Sequence, residues 1–146
     1  MTEIGFYHLT RSTLEQALPR LLGRVLALGQ RAQVLCASEE RLKSLDDALW
    51  TCAEPDWLPH GTQDGASHPI FLTLEDAPPP NGAQHLFLTE GMESAHLALY
   101  ARAFDLFDGG DDNAVAAARR RWSAAKAAGH TLAYWQQDER GWEKKA

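Results

Sequence analysis

The stretch EIGFYHLTRSTLEQALPRLLGRVLALGQRAQVLCA, residues 3–37, decides the fold class. It opens and closes with apolar runs of strand length, EIGFYHL and AQVLCA. Between them, residues 13–28 carry leucines and a valine at helical spacing, and Gly29 follows as a C-terminal stop. Pro19 lies inside this pattern and predicts either a kink or a late helix start. A strand, a helix and a second strand in this order predict a βαβ unit and a parallel sheet.

The remainder of the chain continues this alternation. Ser38 is placed to cap a second helix that ends near Trp50. Residues 94–107 fit a helix that turns into a strand around Arg102. Further strands are expected at 70–74, 85–88 and 132–136, and a further helix at 114–126. The sequence therefore predicts an α/β fold with a single domain over residues 1–146, a mostly parallel sheet, helices on both faces and a frayed tail at 139–146.

The composition is that of an ordinary globular protein, with 45% hydrophobic and 23% charged residues. No apolar run approaches the roughly 20 residues that span a bilayer. The N-terminal sequence lacks the basic region and the cleavage site of a signal peptide. We therefore expect a cytoplasmic protein without membrane contact, in which Cys36 and Cys52 are free, buried thiols.

Charge is distributed unevenly along the chain, whose net charge is −6. Residues 1–110 carry 7 basic and 15 acidic residues, whereas residues 111–146 carry 7 basic and 5 acidic residues. The acidic majority argues against non-specific binding of nucleic acid by the whole surface. A small basic patch on an acidic body favours a short acidic peptide as partner.

The basic residues concentrate in AVAAARRRWSAAK, residues 114–126, where alanines favour a helix. Val115, Arg119, Trp122 and Lys126 fall on one face of that helix. Two cations that flank an aromatic ring suit a ligand-binding face better than a core face. The alternative interpretation is a solvated basic face whose tryptophan is partly buried against the sheet.

The chain contains no GxGxxG, GxxxxGK[ST] or GxSxG motif and no HxxxH, HExxH or CxxC spacing, so no cofactor and no metal site are predicted. His60 and His68 flank the loop GTQDG and could pair with Asp64 as acid and base. That pairing would suit a small α/β enzyme acting on a phosphorylated small molecule, whereas ordinary loop histidines are the simpler interpretation. The adjacent Asp46 and Asp47 diverge by about 100° on a helix and are interpreted as a solvated surface.

Three features together carry a resemblance to a known family. They are LDDALW (45–50) followed by DWLPHG (56–61), an apolar strand entered through Pro69, and an arginine-rich helix ending in AAGH (127–130). With FYHL near the N-terminus and a length of 146, the chain resembles the chi subunit of bacterial DNA polymerase III holoenzyme over essentially its whole length. The resemblance implies a Rossmann-like topology without a phosphate-binding loop. It also implies a non-catalytic accessory protein of the clamp-loader complex.

The resemblance further implies two partners. Chi proteins bind the acidic, phenylalanine-terminated C-terminal tail of single-stranded DNA-binding protein, so DNA itself is reached only indirectly. In many bacteria a small helical psi subunit links chi to the clamp loader. The tail-binding arginine and aromatic residue of the family match Arg119 and Trp122. Two family lysines fall on Val115 and Ser123, and the candidates to compensate for them are Arg120, Arg121 and Lys126.

The psi-contacting surface of the family corresponds to Trp50, Trp57, Leu58, Pro59 and His60. Two tryptophans in a turn-rich segment are typical of an interface anchor, with core tryptophans under a long loop as the alternative. Two other functions stay open at this point: the small enzyme, and direct binding of single-stranded DNA through the three adjacent arginines. Three arginines are few for an electrostatic footprint on a protein of net charge −6.

Overall fold

A computed structural model describes residues 2–52, 58–139 and 141–146. The elements of these ranges are β1 (Glu3–Leu9), α1 (Leu14–Ala27), β2 (Ala32–Leu35), α2 (Glu39–Thr51), β3 (His60–Gly61), β4 (Ile70–Thr73), β5 (His85–Thr89), β6 (Arg102–Asp108), α3 (Asp112–Ala127), β7 (Thr131–Asp138) and β8 (Gly141–Lys144). The strands form one sheet in the order β3-β4-β2-β5-β6-β1-β7-β8. Neighbouring strands run parallel except for the antiparallel pair β7 and β8. The predicted single-domain α/β fold is confirmed.

Side chains cap the first two helices, and the cap of α2 is Ser38, as the sequence predicts. The Thr13 hydroxyl accepts a hydrogen bond from the Gln16 amide, and the Gln16 side chain accepts one from the Thr13 amide, which completes a capping box. Ser38 caps α2 by accepting from the Arg41 amide at 3.2 Å. Helix α1 begins at Leu14, so the late start that Pro19 allowed is not observed.

Helices cover both faces of the sheet, as predicted. Because successive strand residues point to opposite faces, Phe6 and Tyr7 of β1 belong to two different cores. Tyr7 packs with Phe87 and with residues of α1 and α2, whereas Phe6 packs under α3. Cys36 is buried, as expected, whereas Cys52 is only half-buried, and neither cysteine is in a disulfide. Burial raises the pKa of the Cys36 thiol to about 12.

The C-terminal segment differs from the frayed tail predicted for residues 139–146. Strand β8 pairs with β7 and sets Trp142 opposite Gln137. The Trp142 ring packs edge-on against Tyr7, with 5.0 Å between the ring centroids. Partial burial of this indole offsets the conformational entropy that is lost when the short polar segment becomes ordered. No local sequence pattern predicts this contact.

Two other segments also differ from the sequence prediction. The two-residue strand β3 was not predicted, because it is too short for a periodic pattern. The helix expected before Arg102 is only one 3-10 turn, Leu97–Leu99. In the ranges that the structure describes, no helix is long and apolar enough to cross a membrane.

Candidate functional site

Helix α3 carries the basic segment and is fixed at both ends. Asp111 caps its N-terminus by accepting from the amides of Asn113 at 2.9 Å and Ala114 at 3.4 Å. Gly129 follows its C-terminus with a φ of +87°, a conformation that favours glycine. Ala118 is the buried residue of the helix, and its small side chain lets α3 lie close to the sheet.

A groove of about 410 Å³ lies beside α3, over strands β1, β6 and β7. We call it the α3 groove. Val115, Arg119 and Trp122, which the sequence placed on one face, line it together. Arg120 and Lys126 are exposed and lie outside its lining. The full lining is Phe6, Phe107, Val115, Ala118, Arg119, Trp122, Ser123, Tyr134 and Ala146.

Aromatic rings form the interior of the α3 groove. Trp122 is half-buried and lies edge-on to Phe6, with 5.3 Å between the ring centroids. It also lies edge-on to Tyr134 at 6.1 Å. Phe107 approaches Tyr134 to 6.3 Å. Trp122 therefore packs against the sheet on one side and faces the groove on the other, which combines the two interpretations that the sequence left open.

Positive charge lies at the edge of this apolar interior. Among the described residues, no ion pair engages Arg119, Arg120 or Lys126. Burial raises the pKa of Tyr134, and the nearby positive charge of Arg119 opposes that shift. An anionic ligand that contacts the rings would therefore lie near the guanidinium of Arg119, which has no ion-pair partner among the described residues.

Arg121 differs from its two neighbours because its guanidinium is held by Asp105 of β6. Its Nε donates to Asp105 Oδ2 at 2.7 Å and its Nη2 donates to Oδ1 at 2.9 Å. Both side chains are nearly buried, with 11% and 4% of their surfaces exposed. The charge of Arg121 is thus neutralised inside the protein, and Arg120 and Lys126 are left as the accessible candidates for long-range attraction.

The second predicted surface divides into exposed and buried residues. Trp50 is 58% exposed, and its ring lies 4.5 Å from the ring of His60 between centroids. Pro59 is half-buried, whereas Leu58 and His60 are buried. Trp57 lies outside the described residues. Among the described residues of this group, Trp50 and Pro59 therefore have accessible surface.

The His60–His68 loop does not assemble the acid–base pair considered from the sequence. The Nδ1 atom of His60 lies 2.6 Å from the carbonyl oxygen of Leu58, and its Nε2 atom lies 3.0 Å from Asp46 Oδ1. Asp64 is exposed, whereas His60 is buried. The histidine partner is therefore Asp46, which the sequence suggested to be merely solvated. The spacing of Asp46 and Trp50, one helical turn apart, is the signal that could have linked Asp46 to this cluster.

The carboxyl end of the sheet, where open α/β sheets bind phosphates, is occupied by acidic side chains. A cavity of about 360 Å³ there is lined by Glu15, Glu90 and Asp108 together with Arg41. Arg41 donates to Glu90 Oε1 at 2.8 Å and also to Glu15. One cation that is already shared by two carboxylates leaves this cavity unsuited to a phosphate.

The fold and these sites define a class, an α/β domain of Rossmann-like topology. At the carboxyl end of its sheet, acidic side chains stand where related folds bind phosphate. Beside its third helix lies an open groove with an aromatic interior and basic residues at its edge. The family model described as DNA polymerase III chi subunit, HolC, matches residues 1–133 of the 146-residue chain. The chain belongs to this family, which gives it an accessory role in DNA replication within DNA polymerase III. Comparison with individual curated proteins gives no match. The family match ends within β7, so Tyr134 and strand β8 follow it.

Proposed function

We propose that this protein is a non-catalytic adaptor of the DNA polymerase III holoenzyme. It binds the acidic C-terminal tail of single-stranded DNA-binding protein in the α3 groove and connects that protein to the clamp-loader complex. The observation that carries the proposal is the convergence of Arg119, Trp122 and an aromatic interior in one groove. Membership of the chi subunit family supports it.

The chemistry of the tail fits the α3 groove. A tail that ends in aspartates, a proline and a phenylalanine carries several negative charges, a terminal carboxylate and an aromatic ring. Arg119 offers a planar guanidinium that binds a carboxylate through two hydrogen bonds. Phe6, Phe107 and Trp122 offer an apolar slot for the ring. Arg120 and Lys126 lie outside the slot, where they attract the aspartates.

A second surface is proposed for the clamp-loader side. Trp50 is a large apolar side chain that water largely surrounds, and exposed tryptophans are enriched at the centres of interfaces. The buried His60 ring lies against Trp50 and restricts its orientation. We propose that Trp50, with Pro59 beside it, contacts psi or an equivalent clamp-loader component.

Titration of a fluorescent peptide ending in Asp-Asp-Ile-Pro-Phe tests the tail site. We expect micromolar binding that weakens as salt rises, because the contact is largely electrostatic. Arg119→Ala should weaken binding about tenfold or more, since a charge-assisted contact is worth roughly 1.5–3 kcal/mol. Arg120→Ala is the matched control, because Arg120 is the next residue in the helix and lies outside the groove lining. This variant removes the same charge and should weaken binding only about threefold. No binding at low salt would exclude the tail site.

Co-purification with clamp-loader components tests the second surface. Trp50→Ala should remove most of the captured partner without changing peptide binding at α3. Leu99→Ala is the control, because Leu99 is also an exposed hydrophobic residue, with 55% of its surface accessible. Equal partner recovery from wild type and Trp50→Ala would show that Trp50 is not part of the clamp-loader contact.

A further inference from the structure

The C-terminal part of β7 supplies a side of the α3 groove that lies outside the family match. The match covers residues 1–133, and Tyr134 is the next residue. Strand β7 pairs with β1 in parallel, and the register sets Tyr134 beside Phe6. The Tyr134 ring lines the groove next to Trp122, in an edge-to-face contact with 6.1 Å between the centroids.

Tyr134 is fixed through both its side chain and its backbone. Its hydroxyl is hydrogen-bonded to His8 Nδ1, and the His8 ring lies 5.0 Å from the ring of Phe107. Its amide donates to the carbonyl oxygen of Ala146 at 3.3 Å, and its carbonyl oxygen accepts from the Lys145 amide at 2.8 Å. One hydrogen bond holds the ring and two hold the backbone of Tyr134, so the ring is preorganised and a ligand does not have to order it on binding.

We propose that Tyr134, positioned by His8 and by the segment after β8, is a specificity-determining residue that makes the α3 groove prefer a C-terminal aromatic side chain over an aliphatic one. This inference rests on the proposed tail-binding function. Phe6, Phe107, Trp122 and Tyr134 surround the groove with ring faces and edges. A phenyl ring among them gains edge-to-face contacts that a leucine side chain of similar hydrophobicity does not make.

His8 acts through Tyr134 and is a positioning residue. It is half-buried on β1, and its ring lies edge-on to Tyr134 at 5.9 Å. Loss of its Nδ1 atom would leave the tyrosine hydroxyl without this partner and free the ring to turn. An asparagine at the same position could restore a hydrogen bond to the hydroxyl.

Two peptides that differ only in the last residue test the proposal: one ends in Asp-Asp-Ile-Pro-Phe and the other in Asp-Asp-Ile-Pro-Leu. Wild type should bind the Phe peptide about threefold to tenfold more tightly than the Leu peptide. Tyr134→Leu should reduce this ratio to below about twofold while salt-sensitive binding of both peptides persists. Tyr134→Phe keeps the ring but loses the hydrogen bond to His8, so it should lower the ratio as His8→Leu does and by less than Tyr134→Leu. His8→Leu should lower the ratio and His8→Asn should restore it, an outcome that a purely structural role of His8 does not produce.

A third peptide, ending in cyclohexylalanine, tests the proposal on the unmodified protein, in case Tyr134→Leu does not fold. It fills a similar volume without a π system, so wild type should bind it more weakly than the Phe peptide. Equal binding of the Phe and Leu peptides by wild type, or an unchanged ratio in folded Tyr134→Leu, would overturn the role of Tyr134 and leave the tail site intact. Failure of wild type to bind any of the three peptides would overturn the tail site itself and this inference with it.

Discussion

Arg121 of α3 and Asp105 of β6 form a two-fold hydrogen-bonded ion pair beneath the helix, at 2.7 and 2.9 Å. Burial raises the pKa of the Asp105 carboxyl, and the Arg121 guanidinium opposes that shift. The pair joins the helix to the central part of the sheet. Because Arg121 is held against the sheet, the rotation of α3 about its own axis is fixed. This rotation determines which face of the helix borders the groove.

Asp105→Asn should lower the free energy of unfolding by about 3 kcal/mol, because it leaves the nearly buried guanidinium of Arg121 without a counter-charge. Urea denaturation measures the change. Glu143→Gln is the control, since its contact with Lys145 at 3.3 Å is about half exposed and should contribute less than about 1 kcal/mol. Equal stability of Asp105→Asn and wild type would show that the pair does not hold the helix.

Stability should depend on pH through His85. Burial and then the positive charge of Arg102 lower the pKa of His85 below its ordinary value of 6.5. The unfolded chain therefore takes up a proton first as the pH falls. The stabilising contribution of neutral His85 is present above about pH 6.5 and is lost as the pH falls through the lower pKa of the folded state.

Denaturant titrations at several pH values between about 7.5 and 5 test this dependence. His85→Gln lacks the titrating group, so its stability should fall less steeply with acidification than that of wild type. His96→Gln is the control, because His96 lies in a turn and is only half-buried, whereas His85 is buried. Parallel stability profiles for wild type and His85→Gln would contradict the assignment.

Gly109 should not tolerate a side chain. A Cβ atom there would collide with the His8 ring and lie 2.6 Å from the carbonyl oxygen of Leu9. Gly109→Ala should therefore cost about 1–3 kcal/mol and displace His8 from Tyr134. Gly110→Ala is the matched control, because its nearest atom, Asp108 Oδ1, is 3.2 Å away and can shift. Thermal unfolding compares the two, and equal melting temperatures would contradict the close approach.

Ser123→Lys should strengthen tail binding. Ser123 lines the α3 groove and is exposed, and it stands where the family resemblance places a lysine. A cation there should improve affinity about twofold to fivefold at low salt, with the gain disappearing as salt screens the charge. Ala116→Lys adds the same charge to an exposed position of α3 outside the groove. An equal gain from both variants would indicate attraction by net charge instead of a specific contact.

The fold was largely predictable because its elements follow local rules. Apolar runs gave the parallel strands, and the capping residues Thr13, Ser38 and Asp111 stand at the starts of helices. Strand β8 was not predictable, since it depends on the contact between Trp142 and Tyr7, two residues at opposite ends of the chain. Pairing partners so distant leave no periodic pattern in either segment.

The site was predictable to the extent that helical geometry fixes it. The spacing of Val115, Arg119 and Trp122 placed them on one face, and they line one groove. The ion pair that holds Arg121 inside the protein was not predictable from the adjacent sequence, because its partner Asp105 lies on another element, strand β6. A usable signal was present in AFDLF (103–107), where Asp105 interrupts an otherwise apolar strand, since a buried carboxylate requires a partner.

Tail binding at Arg119 is tested most directly by a two-by-two titration of wild type and Arg119→Ala against two peptides. Both peptides end in Asp-Asp-Ile-Pro-Phe, one with a free C-terminal carboxylate and one with an amide. If Arg119 binds the terminal carboxylate, amidation should weaken binding to wild type about tenfold and binding to Arg119→Ala less than about twofold. An equal amidation penalty in both proteins would show that a residue other than Arg119 binds the terminal carboxylate.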